Sequence, residues 1–421
     1  VGVVANVIKI LVNDQQWAGV VAHDELVHGT VAMRAPPWSS EERGALARSY
    51  PSAWEDADSY RLVNWLGQNY DMIVPPHVVD SAIEVVAART PVHPVRDWLK
   101  KLQRDGKERV GKVGGDVPSW LTTYAGAEDT PYNRVVGRIF LIGAIARIMN
   151  PGCQLDTAPV FEGAQGSGKT SLLRILARRK EWYLELTETL GSKDSMQLLW
   201  GKWLVELGEL DSFSRSELTA IKSFTTRLVD TFRVPYGKRV ANFLRQVAMA
   251  GTTNQDTYLK DDTGNRRWLA VRCGTIDLIA LERDADQLWA EAYAAYQAGE
   301  QWRIDDPEIR ALAATEAEKR RQAHPWELPI TRWLARRPES VLEAGIGTHD
   351  ILTKVLGLEV GRLQRSDEMT VAGILRNVCG MERRQARIGS GREWRYFRPS
   401  VKVEAVGDKN GDSDSETESS T

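Results

Sequence analysis

Apolar residues follow two different rhythms along this chain. Over Ser59–Gln68 and Val78–Ala88 they recur at helical spacing, with Pro75-Pro76 between, which predicts two helices. Trp98–Lys101 and Trp120–Tyr124 predict further short ones. Past residue 150 the apolar positions form short unbroken runs instead: Ala158–Phe161, Trp182–Leu184, Trp203–Leu207, the stretch within Gln246–Asn254, and Leu269–Val271. Runs of that length predict buried strands. Helical spacing returns over 276–324, with Leu278, Leu281, Leu288, Ala292 and Tyr296 on the core side. Nearer the carboxyl end, Pro329–Arg336, His349–Leu356 and Met369–Val378 predict three helices. Glu382–Phe397 then alternates as a hairpin about Gly389-Ser390-Gly391.

This order predicts an α/β protein in five parts: a helical amino-terminal region (1–128), a strand-rich core (129–275), a helical extension (276–324), a small basic module (325–398) and an acidic tail (399–421). The tail carries Glu404, Asp408, Asp412, Asp414, Glu416 and Glu418 against Lys402 and Lys409, is rich in Ser and Gly, and is expected to be disordered. The whole chain of 421 residues has a net charge of −2, with 42% apolar and 27% charged residues, which is the composition of a soluble globular protein. No apolar run is long enough to span a bilayer, and no signal peptide is visible. A start at Val1 rather than Met fits a fragment or a processed product. Cys153, Cys273 and Cys379 lie far apart without zinc spacing, as expected of unpaired thiols in a cytoplasmic protein.

The chemistry concentrates after the first buried run. Gly163-Ala164-Gln165-Gly166-Ser167-Gly168-Lys169-Thr170 fits G-x-x-x-x-G-K-[ST], the phosphate-binding loop. Gly163, Gly166, Ser167 and Gly168 let backbone N–H groups turn inward around phosphate oxygens. Lys169 reaches the outer phosphates, and Thr170 offers its hydroxyl to Mg²⁺. The helix predicted over Ser171–Ala177 adds its positive N-terminal end. ATP and Mg²⁺ are therefore the expected cofactors.

Other candidates are placed by strand ends. Trp203–Asp211 is an apolar strand that runs into acids, and hydrolysis needs a carboxylate there to organise Mg²⁺ or orient water. Glu209, at the strand exit, is favoured for that role and for the metal; Glu206, within the strand, is the alternative or a buried structural acid; Asp211 reads as a cap. Asn254 ends its strand where it can bond the γ-phosphate and the attacking water. Arg266 or Arg267, just before the last strand, could reach into a neighbouring subunit's site. Phe232–Val240 reads as a hairpin turning at Tyr236-Gly237, with Arg233, Lys238 and Arg239 around the tip, and Lys222 precedes it. Arg383, Arg384, Arg387, Arg392 and Arg395 make the final hairpin basic, suited to DNA phosphates.

Several of these blocks occur together in one family. His93–Leu99, Ala146–Cys153, the phosphate loop, Gly201–Asp211, Pro235–Arg239, Gly251–Asn254, Tyr258–Arg267 and Asp286–Ala292 resemble the virulence-associated protein E family. These are phage- and island-encoded replication proteins related to superfamily 3 helicases. The resemblance implies an AAA+-like P-loop ATPase core, while the three helices and the hairpin of the carboxyl module look like a winged helix in their own right. It implies a homo-oligomeric, hexameric ring that unwinds or translocates on single-stranded or forked DNA, with a primase in the same system. Glu209 would be the Walker B acid, Asn254 the sensor, Lys222 and Lys238 basic contacts, and Arg266 or Arg267 the finger acting in trans. A nucleotide-regulated DNA-binding initiator is the second reading and a small-molecule kinase the third.

Overall fold

The amino-terminal region is not helix throughout. In the computed structural model, β1 (Val21–Asp24), β2 (Gly29–Ala32), β3 (Ser52–Ala53) and β4 (Pro91–Val92) form a sheet in the order β3-β2-β1-β4. β1 and β2 pair antiparallel, whereas β4 lies parallel to β1. This corrects the helical reading of residues 1–128. The strands are too short for a two-residue period to register, and β4 reaches β1 only after a long excursion. That excursion contains α2 (Asp56–Tyr70) and α3 (Pro76–Ala87); α1 (Val4–Asn13) precedes the sheet and α4 (Pro94–Lys101) follows it. Pro75 caps α3 and Pro76 opens it, where a fixed φ and a missing N–H cost nothing. Trp17 anchors the cluster beneath, with ring centroids 5.5 Å from both Trp38 and Trp65.

After α5 (Trp120–Ala125) and the buried α6 (Pro131–Met149), the apolar runs become one parallel sheet. The chain passes through β5 (Ala158–Glu162), α7 (Lys169–Leu176), β6 (Tyr183–Leu186), α8 (Lys193–Leu198), β7 (Leu204–Leu207) and α9 (Arg215–Thr225). A hairpin of β8 (Val229–Arg233) and β9 (Val240–Leu244) follows, then β10 (Ala248–Thr253) and β11 (Trp268–Arg272). The five long-range strands stand in the order β11-β5-β10-β7-β6, and every pairing among them is parallel. Both faces are covered, which is why these strands read as continuous apolar runs. Phe161, Leu204 and Leu269 face one core with α6, α7 and α10 (Leu278–Gln297). Val160, Val205 and Trp268 face the other, with Ile221 and Phe224 of α9 and Ala317 of α11 (Pro307–Lys319).

The contacts of the chain divide it into two units, Val1–Gln322 and Ala323–Thr421. In the second, helices at Glu327–Ala335, Glu339–Glu343, Thr348–Asp350 and Arg365–Gly373 surround a core of Ile330, Leu342, Ile351 and Leu375. An antiparallel hairpin of β12 (Glu382–Ile388) and β13 (Gly391–Phe397) completes it. The structure describes residues 3–40, 49–186, 193–233, 240–260, 267–388 and 391–399. The Tyr236-Gly237 turn, Lys238, Arg239, Arg266 and the tail past residue 399 lie outside them. Among the described residues no helix is long and apolar enough to cross a membrane, and Cys153, Cys273 and Cys379 are free thiols.

Candidate functional site

Because the sheet is parallel, β5, β7 and β10 all release their loops at the same edge. At β5 the chain turns through Gly163–Gly168 into α7. Gly166 and Gly168 have φ of 76° and 95°, left-handed values that side chains resist. The tight turn folds Lys169 back over its own loop. Its Nζ donates to the carbonyls of Gly163 and Ala164, both at 2.8 Å, and to Ser167 Oγ at 3.3 Å. Lys169 is 9% exposed, and its ammonium is hydrogen-bonded only to neutral groups there.

The next residue points the other way. Thr170 Oγ1 donates to Glu206 Oε1 at 2.8 Å, and Thr252 Oγ1 of β10 donates to the same oxygen at 2.6 Å. The Tyr183 hydroxyl donates to Glu206 Oε2. Glu206 is 1% exposed, and a carboxylate so buried persists only when its oxygens are well bonded. Three hydroxyls from β6, α7 and β10 do this. Burial, then the bond to Glu206, raises the Tyr183 phenol well above its ordinary value, so it stays protonated and remains a donor.

Glu209 stands three residues on, exposed, in left-handed backbone at φ 49° and ψ 57°. That conformation swings it out of the line of β7. Asn254, just past β10, is also exposed and accepts a bond from Gln255 Nε2 at 3.1 Å. Lys169, Thr170, Glu206, Glu209 and Asn254 line one open cleft of about 160 Å³. Asp211 lies in the turn below it and accepts from Thr253 Oγ1 at 2.7 Å. Such a cleft offers a cation and a helix N-terminus for an anion, and a hydroxyl with carboxylates for a metal. Among the described residues no ready-made cluster of His, Cys, Asp and Glu exists, so any metal here would need oxygens from its ligand or from water.

Other candidates are placed elsewhere. Arg267 immediately precedes β11, whose first residue, Trp268, pairs with Ala158 at the start of β5. It is therefore at the sheet edge opposite its own glycine loop. Lys222 corrects the reading as a nucleic-acid contact: α9 turns it inward and it is 4% exposed. Arg233 ends β8 and is exposed. The carboxyl arginines lie on β12 and β13, but not as one patch. Arg384 pairs with Glu382, and Arg395 bonds the Gly345 carbonyl at 2.8 Å. Sequence reading missed Tyr183, Thr252 and Glu185, which lines the cleft and pairs with Arg174 at 2.9 Å. Tyr183 and Glu185 are two apart on β6 and share a face, and the register sets Glu185 beside Glu206; only the strand order reveals this.

The family model for the virulence-associated protein E-like domain matches residues 99–323, over half of the chain and all of this cleft. The chain belongs to the virulence-associated protein E-like family. No curated protein matches it. Among solved structures, it aligns with the apo C-terminal region of NrS-1 (residues 305–718) at 13% identity and a TM-score of 0.39, covering 93% of this chain and 98% of that one. The A form of that apo region aligns at 12% identity and a TM-score of 0.39, covering 94% and 99%. The family match thus spans the Gly163–Thr170 loop, Glu206, Glu209, Asn254 and Arg267.

Proposed function

We propose that this member of the virulence-associated protein E-like family is a P-loop ATP hydrolase that assembles as a ring and acts on DNA during replication of a phage or mobile element. The observation that carries the reading is the Thr170–Glu206 bond at the mouth of the glycine loop. By donating its proton to Glu206, Thr170 keeps its oxygen lone pairs for a cation beside the loop. Magnesium, when bound, offsets the phosphate charge and steadies the leaving oxygens. Thr170 and Glu206 would hold it, Glu206 acting through the hydroxyl and through water. Lys169, now turned on the Gly163 and Ala164 carbonyls, would exchange them for phosphate oxygens. Glu209 and Asn254, exposed in the same cleft, would orient the attacking water. This shifts the metal role from Glu209 toward Glu206 and leaves Glu209 the catalytic one. The sheet order β11-β5-β10-β7-β6 supports the ring ATPase class, and the β12–β13 hairpin on its helical core supports a winged-helix-like module.

Lys169→Ala tests the assignment. Phosphate release from ATP should vanish while the circular dichroism spectrum stays that of the wild type, since Lys169 bonds only its own loop. Hydrolysis at the wild-type rate would overturn it. Strand displacement on a forked substrate then separates an unwinding motor from a nucleotide-gated initiator.

A further inference from the structure

Strand alternation sorts the basic residues of the β12–β13 hairpin onto two faces. Arg384 lies opposite Arg395, on the face that also carries Glu382 and Glu393. Both arginines have acids there: Arg384 pairs with Glu382, and Arg395 is 3.7 Å from Glu393 and from Asp350. The other face carries Arg383, Gln385 and Arg387 on β12, opposite Tyr396, Trp394 and Arg392 on β13. It holds no carboxylate. Arg387 and Arg392 stand directly across from each other, a like-charge pair that weakens a hairpin unless an anion lies over it. Neither forms an ion pair with any described residue. Met381 and Tyr396, at the base of this face, are buried at 4% and 3%. Outward of them Arg383, Arg387, Arg392 and Trp394 are all exposed.

Trp394 gives this face its second chemistry. The Trp394 indole is 51% exposed, an aromatic plane left half open to solvent. The Arg383 guanidinium lies over its ring at 4.2 Å from the centroid, which holds the ring steady and leaves the rest of its surface to solvent. Cations flanking a fixed aromatic plane suit an unpaired nucleotide: phosphates meet the arginines, and the base stacks on the ring. A duplex shows the same phosphates but keeps its bases stacked on one another. Two strand steps separate the elements, about 7 Å, so the footprint is a few nucleotides.

We propose that the Arg383–Arg387–Arg392–Trp394 face is a binding site for single-stranded nucleic acid, with a base stacked on Trp394 and flanking phosphates on Arg387 and Arg392. The acid-bearing face with Arg384 and Arg395 is not part of it. The site is independent of the hydrolysis assigned to the first unit, so it is tested on the full chain without nucleotide. Binding of a labelled oligothymidylate and of a duplex of equal length is followed by anisotropy over a salt series. Trp394→Ala should weaken the single strand about tenfold and leave the duplex unchanged, and Trp394→Phe should recover most of the loss. Arg387→Ala with Arg392→Ala should lower the salt slope by about 1.4 on the single strand, while Arg384→Ala moves it little. Photocrosslinking of a bromodeoxyuridine-substituted strand should label the 391–398 segment, and that label should disappear in Trp394→Ala. Equal losses on single strand and duplex, an Arg384→Ala effect as large as that of the double variant, or crosslinks confined to other segments would each overturn the proposal.

Discussion

Glu206 and Glu209 are the same amino acid three positions apart, and their surroundings separate them. Glu206 spends both oxygens on Thr170, Thr252 and Tyr183 and is closed to solvent. Glu209 is open to the cleft in a left-handed conformation that costs about 1 kcal/mol or more in a residue with a Cβ. The two should fail differently. Glu209→Gln keeps the shape and loses the base, so ATP should still bind while turnover falls at least about a hundredfold. Glu206→Gln replaces an acceptor-only group with one that also carries donors, facing three hydroxyls; it should raise the magnesium concentration needed for half-maximal activity and lower stability. Titrations of ATP and of magnesium against each variant check this, and a raised magnesium requirement confined to Glu209→Gln would reverse the roles. Glu209→Gly makes the sharper demand. Glycine adopts φ near 49° freely, so this inactive variant should be more stable than the wild type by up to about 1 kcal/mol. A lower melting temperature would mean that the turn carries no strain.

β5 does more than deliver the glycine loop. Its last residue, Glu162, is 3% exposed and sits in a fork with Arg320 just beyond α11, Nε to Oε1 at 2.7 Å and Nη2 to Oε2 at 2.9 Å. Tyr258 donates to the same carboxylate at 2.9 Å, and the N–H groups of Tyr258 and Leu259 both bond the Arg320 carbonyl at 3.0 Å. The segment after β10 is thus pinned to the base of the loop through one arginine. Arg320→Ala should destabilise the first unit by about 3–5 kcal/mol, because it leaves Glu162 buried without its cation. Adding Glu162→Gln should restore much of that, as thermal melts of the single and double variants would reveal. Strict additivity would mean that the pair is not coupled. None of this was legible in the sequence, where Glu162 reads as the edge of an apolar run and Arg320 as one charge among several. The glycine loop was legible because its strand, turn and helix are contiguous and each glycine answers a local backbone need. The partners of Glu206 were not, since they come from β6, α7 and β10 and meet only once the sheet order is set. Lys222 misled for a related reason: charge marks a residue as polar but not which side of α9 it occupies. The small sheet of β1–β4 escaped because strands of two to four residues leave no period to detect, and β4 finds β1 only through the fold.

Arg267 raises the question of assembly. In the parallel sheet it precedes β11 at the edge where β5 begins, and the glycine loop leaves β5 at the other edge. A five-residue strand spans roughly 17 Å, far beyond a guanidinium's reach, so Arg267 cannot serve the loop of its own chain. If it takes part in hydrolysis, it must act on the cleft of a neighbouring subunit, where an arginine in trans can raise the rate by about 10³-fold or more. Arg267→Ala should then bind ATP normally and hydrolyse it poorly. Lys169→Ala should be inactive for the separate reason that its own loop is disabled. Mixing the two inactive proteins restores a working junction wherever an intact loop of an Arg267→Ala subunit meets the intact Arg267 of a Lys169→Ala subunit. Activity should therefore reappear on mixing, peak near equal proportions and fall on dilution as the assembly dissociates. Full activity of Arg267→Ala alone would leave the residue as ordinary charge at the start of β11, and silence at every mixing ratio would rule out action across the interface.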